Sequence, residues 1–339
     1  MNILFKNKPI FFQKNTLLKK LISFRSFLRG WKYHHKYRRI TSGKDSLKNL
    51  EVISVEFCSI CNLRCRYCFL EKKQRPSFLD IDVYKKLLFE ICQNKEYQIK
   101  IMEWPISGCF FLHPKYKEII QMTKESQGKY PNFRPWIILN DNMMLFDKDT
   151  VDFVLGEGVV NQIICSIDGV DQESFAEMRP HADFNKVLEN TKYLMDINKR
   201  SKKKIIIQIN NGRDSGCLGR KLSSQLAGIF KQADLMTYWE PLDWNESFHK
   251  KVPSYVPGAS FCSFVFESVA LSTSGYILKC CMDLKEATKY ADFKKSTLEE
   301  IWFSDTRKAF LKEMYAGDRE SIPGCSCCSI SYVSQNKHF

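Results

Sequence analysis

From residue 51 onward the chain alternates short apolar runs with longer segments whose apolar residues fall three and four apart. "EVISVEF" (51–57) has the character of a buried strand, and "DIDVYKKLLFEICQN" after it has helical spacing. The pair recurs as "YQIKIME" with "HPKYKEIIQMTKES", "PWIILN" with "DKDTVDFVLGEG", "VNQIICSIDG" with "DFNKVLENTKYLMDINKR", and "KKIIIQIN" with "GRKLSSQLAGIFKQA". "DLMTYWEP" reads as a last strand. Six strands are therefore predicted, ending near 57, 103, 140, 167, 210 and 240, with helices between them. This alternation implies parallel strands joined by right-handed crossovers. Six units suit an open barrel or a doubly wound sheet, and in a barrel the chemistry sits at the C-terminal strand ends.

The rhythm stops after residue 244. Residues 245–261 lack periodicity and hold two prolines, as a linker does. "FESVALST", Gly275 and "YILKCCMD" then read as a hairpin. "STLEEIWFSDTRKAFLKEMYAG" reads as one helix, capped by Ser296 or Thr297 and stopped by Gly317. The expected division is an arm (1–50), a core (51–244), a linker (245–261), a small second domain (262–330) and a tail (331–339).

Charge singles out the arm. The net charge of the 339 residues is +14, and residues 1–50 carry 13 Lys or Arg against Asp45 alone, a net of +12 that leaves +2 for the rest. A body so nearly neutral does not suggest nucleic acid. Within the arm, Leu17, Leu21, Phe24 and Leu28 share one helical face, with Lys19, Lys20, Arg25 and Arg29 opposite. Such a helix suits either an anionic membrane surface or packing on the body. No apolar run reaches the roughly 18 residues of a membrane span, and no secretory signal is seen. A cytoplasmic chain, peripheral to the membrane at residues 1–40, is expected.

In a reducing compartment, 14 cysteines point to metal ligation rather than to disulfides. Cys61, Cys65 and Cys68 form C-x3-C-x2-C after the first strand. Three close thiolates with no local fourth suit three irons of a [4Fe–4S] cluster, the fourth iron staying open. A zinc loop is the alternative. Cys58, at the strand end, falls outside that spacing and reads as a packed side chain. Cys262, Gly275, Cys280, Cys325 and Cys328 form C-x12-G-x4-C followed by C-x2-C, a set that fills either a second four-iron cluster or a structural zinc site. Cys281 and Cys327 are extra thiols beside it, so Cys280 is chosen over Cys281 on spacing alone.

"CNLRCRYC" resembles the radical S-adenosylmethionine (radical SAM) signature, C-x3-C-x-aromatic-C. The resemblance implies that Cys61, Cys65 and Cys68 hold a cluster whose open iron is chelated by SAM, and that Tyr67 packs near the adenine. The C-terminal cysteines are similar to a twitch domain, the short form of SPASM, which implies an auxiliary [4Fe–4S] cluster. "LHPKYKEII", "LNDNMML", "SIDGVDQESFAEMRPHADFNKVLENTKYL" and "WEPLDWNE" resemble further family segments. They imply a partial (β/α)6 TIM-like barrel and SAM-binding roles for Gly108, Asn140, Ser166 and Asp168. For Ser166 and Asp168 a plain turn is the other reading. One departure stands out. Where the family has G-G-E-P, whose glutamate accepts a hydrogen bond from SAM, this chain has Ser107, Gly108, Cys109 and Phe110. A thiol does not reproduce that charge-assisted acceptor; Glu103 would substitute only through a bulge.

The resemblance implies a 5′-deoxyadenosyl radical that abstracts hydrogen, fed by a flavodoxin- or ferredoxin-type reductant. The auxiliary cluster suggests oxidation of a polyol, aminosugar or sugar-like substrate, with the second electron leaving through that cluster. The alternatives are a peptide-modifying maturase, although the arm is shorter than a leader-binding winged helix, and a catalytically degenerate iron–sulfur protein. No catalytic base is legible. The two cysteine sets predict about eight irons in anaerobically reconstituted protein and about four in a Cys61/Cys65/Cys68→Ala variant. Iron analysis checks this, and zinc in the variant would refute the auxiliary cluster.

Overall fold

The computed structural model describes residues 2–5, 35–68, 77–213, 217–239, 262, 264–281, 283, 286, 288–316, 322 and 325. The arm helix expected near 16–29, the linker, Gly317 and the tail lie outside them.

The elements in order are β1 (Asn2–Phe5), α1 (residues 35–41), β2 (Val52–Val55), α2 (Ile81–Gln93), β3 (Ile101–Trp104), α3 (Tyr116–Lys129), β4 (Trp136–Asp141), α4 (Lys148–Glu157) and β5 (Gln162–Ser166). They continue with α5 (Gln172–Met178), α6 (Phe184–Arg200), β6 (Ile206–Gly212), α7 (Ser224–Gln232), β7 (Leu235–Trp239), α8 (Phe264–Glu267), β8 (Ser268–Leu271), β9 (Tyr276–Leu278), β10 (Lys289–Asp292), α9 (Leu298–Trp302) and α10 (Asp305–Ala316). One open sheet runs β1-β7-β6-β5-β4-β3-β2-β8-β9-β10. Strands β2 to β7 are the six predicted strands, and each pairs in parallel with its neighbour. The sheet does not close, as in a partial TIM barrel. Among the described residues, no helix is long and apolar enough to cross a membrane.

The helices begin where their caps allow. Asp80, Asp147, Asp183 and Ser223 each accept a backbone N–H from the first turn of α2, α4, α6 and α7. Below the start of the cysteine loop, Phe57, Tyr84, Trp104 and Phe110 are all fully buried. Ring centroids lie 4.9 Å (Phe57–Tyr84), 5.4 Å (Phe57–Trp104) and 5.2 Å (Phe57–Phe110) apart. Each such pair adds about 0.5–1.5 kcal/mol beyond the area it buries, so the end of β2 rests on a rigid floor.

The structure adds to the sequence reading. The hairpin extends the core sheet: β8 pairs in parallel with β2 from Val52↔Ser268 to Val55↔Leu271. The single helix over 296–317 is two helices. The Ser304 hydroxyl donates to Ile301 O at 2.8 Å and accepts from Arg307 N at 3.2 Å, so this side chain competes with the helical ladder and starts α10 afresh. Finally, β1, α1, α5, α8 and β10 were not predicted; each is too short to show a period.

The end of the arm is tied to the body. Lys36 Nζ bridges Glu51 at 3.0 Å and Glu267 at 2.6 Å. The fully buried Arg307 on α10 reaches Asp45 at 2.6 Å and the Trp302 carbonyl at 2.9 Å, and its guanidinium lies 3.3 Å from the centre of the Trp302 ring. Removing one partner of such a buried pair destabilises by about 3–5 kcal/mol. Arg307→Ala should lose that much stability, read as a lower urea midpoint at unchanged m-value.

Candidate active site and cluster-binding loop

The cysteine loop leaves β2 at Glu56, which is 1% exposed. Glu56 Oε2 accepts from Thr273 N at 3.1 Å and Thr273 Oγ1 at 3.2 Å, and Oε1 accepts from the Ser107 hydroxyl. The carboxylate thereby joins the end of β2, the segment after β3 and the β8–β9 turn. Gly108 presses against the loop. It holds φ +68°, and an added Cβ would lie 2.0 Å from the Cys58 carbonyl oxygen and 2.9 Å from that of Ile60. The adjacent Cys109 N–H donates to Ile60 O at 2.8 Å. The role this geometry assigns to Gly108 is close approach to the loop backbone, which glycine alone permits.

Cys61, Cys65 and Cys68 are half-buried on this loop. Leu63 N–H (3.4 Å) and Asn142 Nδ2 (3.7 Å) both donate to Cys61 Sγ. Burial raises the Cys61 and Cys65 thiols, so ligation to iron releases protons. Cys58 is fully buried, burial pushes it up to about 11, and the Ile60 N–H donates to its sulfur at 3.3 Å. That is the packed thiol the spacing implied. Among the described residues, no three His, Cys, Asp or Glu side chains converge on one ion position. A four-iron cluster would be held by one thiolate on each of several irons, so its ligands need not meet at a single ion position.

The far side of the loop is held by a buried network. Tyr67 Oη donates to Asp168 Oδ2 at 2.6 Å, Arg179 Nε donates to the same oxygen at 2.6 Å, and Gly212 N–H donates to Asp168 Oδ1 at 2.8 Å. Arg179 Nη2 also reaches Tyr67 Oη at 2.6 Å, and the Arg66 N–H reaches the Met178 carbonyl at 3.0 Å. Burial raises the Tyr67 phenol well above its usual value. Asp168 is fully buried with both oxygens engaged, and in this structure it fixes the loop. The polar groups left open are Asn140, Ser166 and Asn210, half-buried in the C-terminal halves of β4, β5 and β6 and making no side-chain hydrogen bond to a described residue. Asn210 was missed in the sequence, although it sits beside Ser166 in register.

In the second module, Gly275 (φ +84°) makes the tight β8–β9 turn, its N–H donating to Ser272 O at 2.9 Å. The antiparallel pair returns the chain towards the start of β8, near which Cys262 lies, and Cys280 follows β9. Cys262 and Cys325 pack partly buried against the core. Cys328 and Cys327 lie outside the described residues.

Residues 55–212 match the model of the radical SAM superfamily, and residues 262–329 match that of the SPASM iron-sulfur cluster-binding domain. The chain belongs to the radical SAM superfamily. It is an enzyme of that class with a SPASM-type auxiliary domain, whose cofactors are [4Fe–4S] clusters and SAM. Its fold is similar to that of BtrN solved with AdoMet and 2-DOIA (17% identity, TM-score 0.55, 82% of this chain and 92% of that one). It is also similar to anSMEcpe with AdoMet and the Cp18Cys peptide (14%, TM-score 0.59, 82% and 85%). A third is Streptococcus suis SuiB bound to precursor peptide SuiA (13%, TM-score 0.53, 97% and 78%). No curated protein matches the sequence.

The donor set of this radical SAM chain fits its clusters. The first loop offers three thiols and two N–H donors to one sulfur, the outer-shell bonding that orients and tunes thiolate ligands. The glutamate of the family pattern is replaced by Cys109, which is 2% exposed. Glu103 does not take its place: β3 pairs in regular register, and Glu103 Oε2 accepts from Ser54 Oγ at 2.6 Å. The neighbouring carboxylate comes from β4. Cys109 Sγ lies 3.8 Å from Asp141 Oδ2, and Met143 N–H donates to Asp141 Oδ1 at 2.6 Å.

Burial pushes the Asp141 carboxyl from the ordinary 3.8 up to about 7. The folded chain then holds this proton more tightly than the unfolded chain. The stability it contributes is complete below about pH 3.8 and is lost as pH rises through about 7. Asp141→Asn should gain stability relative to wild type on going from pH 5 to pH 7, on the order of 1.4 kcal/mol per pH unit, measured by urea midpoints at each pH.

Proposed function

We propose that this radical SAM enzyme is an oxidoreductase that dehydrogenates a polyol, aminosugar or sugar-like substrate, with the auxiliary site as acceptor of the second electron. The observation that carries the reading is the pairing of β8 with β2. The hairpin between Cys262 and Cys280 continues the sheet that carries the first cysteine loop, and Glu56 fixes its β8–β9 turn to the root of that loop. A substrate lying over the strand ends then has a donor site and an acceptor site in fixed relation.

Bound at Cys61, Cys65 and Cys68, the cluster with SAM supplies the one-electron chemistry that opens a C–H bond. The chain's own residues do the rest. Tyr67, held through its hydroxyl, offers its ring face to the adenine. Asn140, Ser166 and Asn210 offer uncharged donors and acceptors, which suit a hydroxyl-rich ligand as well as SAM. Asp141 places a carboxyl group beside Cys109, where this chain lacks the glutamate of the family pattern. Cys262, Cys280, Cys325 and Cys328 hold the auxiliary cluster. The fold likeness to BtrN, whose complex contains 2-DOIA, supports a small-molecule substrate.

A second reading, modification of a peptide, is supported by the fold likeness to anSMEcpe and SuiB, both solved with peptides. A flavodoxin- or ferredoxin-type protein is the proposed reductant, and residues 1–40 the proposed contact with an anionic membrane surface. Incubation of cluster-replete protein with SAM and dithionite should yield 5′-deoxyadenosine. Deuterium from C-deuterated polyols or aminosugars should enter that product. Transfer from peptides alone favours the second reading, and no 5′-deoxyadenosine at all favours a non-catalytic iron–sulfur protein.

A further inference from the structure

Tyr290 is a buried donor without an acceptor. The pairing of β10 with β9 slips between Lys289 and Ala291, so Tyr290 is the extra residue of a bulge, and a bulge re-aims its side chain. The residue is 6% exposed, and its ring meets Phe310 edge-on at 6.0 Å between centroids. Its hydroxyl makes no hydrogen bond. Leaving such a group unsatisfied is unfavourable, and phenylalanine would fill the same space without that penalty. The strand is set against the end of β9, where Cys280 follows: Lys279 N–H donates to Thr288 O at 3.1 Å, and Lys289 pairs with Leu278; Arg307, Cys280 and Cys325 are the charged groups that act on the phenol. An arginine guanidinium has donors only, so of these three groups only the cysteine sulfurs can accept from the O–H.

We propose that the Tyr290 hydroxyl donates a hydrogen bond to a sulfur of the auxiliary cluster at the Cys280–Cys325 side and raises the reduction potential of that cluster. A donor aimed at sulfur stabilises the more electron-rich, reduced state, and hydrogen bonds to sulfur are among the factors that set cluster potentials. The inference rests on reading the second cysteine set as a four-iron site.

The Cys61/Cys65/Cys68→Ala protein, anaerobically reconstituted, isolates the auxiliary cluster. Adding Tyr290→Phe should leave iron content unchanged. It should shift the reduced-to-oxidised ratio at fixed poise about tenfold towards oxidised, about 59 mV for one electron, in an EPR-monitored redox titration. Retained iron with an unmoved midpoint overturns the proposal, and so does loss of iron, which would make the side chain a packing element. An independent readout needs no variant: ENDOR after exchange into D2O should show an exchangeable proton coupled to the auxiliary cluster, and its absence also overturns the proposal. No iron in the triple-alanine protein before Tyr290 is changed would instead refute the four-iron reading of the site.

Discussion

Glu56 is a carboxylate with almost no contact with water, and the rest of the site depends on how it is satisfied. Burying such a group without partners is strongly unfavourable. Here its acceptor capacity is met by a hydroxyl from the segment after β3 and by a backbone N–H and a hydroxyl from the β8–β9 turn. Those donors arrive only if β3, β2 and β8 lie side by side in the observed order. The same residue begins the cysteine loop, so sheet order and loop position are set together.

The loop is then held from two directions. On one side Gly108 admits the close approach of backbone to backbone, and Cys109 N–H takes the Ile60 carbonyl. On the other, Arg66 N–H is bound to the end of α5, and Tyr67 is bound to the Asp168–Arg179 pair. Paired buried charges of this kind are weak sources of net stability, but removing one partner is severe. They define a conformation, and for a loop that must present three thiolates in one arrangement that is the useful property.

Much of this was legible from the residues alone. Buried parallel strands read as apolar runs, so the six core strands and their helices stood out, and spacing separated Cys61, Cys65 and Cys68 from Cys58. What escaped was set by contacts far apart in sequence or by single side chains. Nothing local in "ESVAL" distinguishes a strand that pairs with its own hairpin from one that also pairs with β2. Ser304 breaks a helix that periodicity runs straight through. The loss of the family glutamate at Cys109 was visible, but the adjacent carboxylate, Asp141, comes from the next strand over. The network around Asp168 was not legible either, because the arginine that pairs with it is eleven residues on, beyond the helix α5 that was not foreseen.

The bulge in β10 has another effect, on the colloidal behaviour of the protein. An open sheet ends in unpaired backbone groups, a template on which another chain can add itself. The auxiliary module covers the flank of β2 and passes that exposure on to β10. There the strand is four residues long, carries Lys289 and is interrupted at Tyr290. Short length, a lysine and a bulge each discourage edge-to-edge addition. The irregularity that turns a phenol inward thus also leaves the sheet margin a poor seed for aggregation.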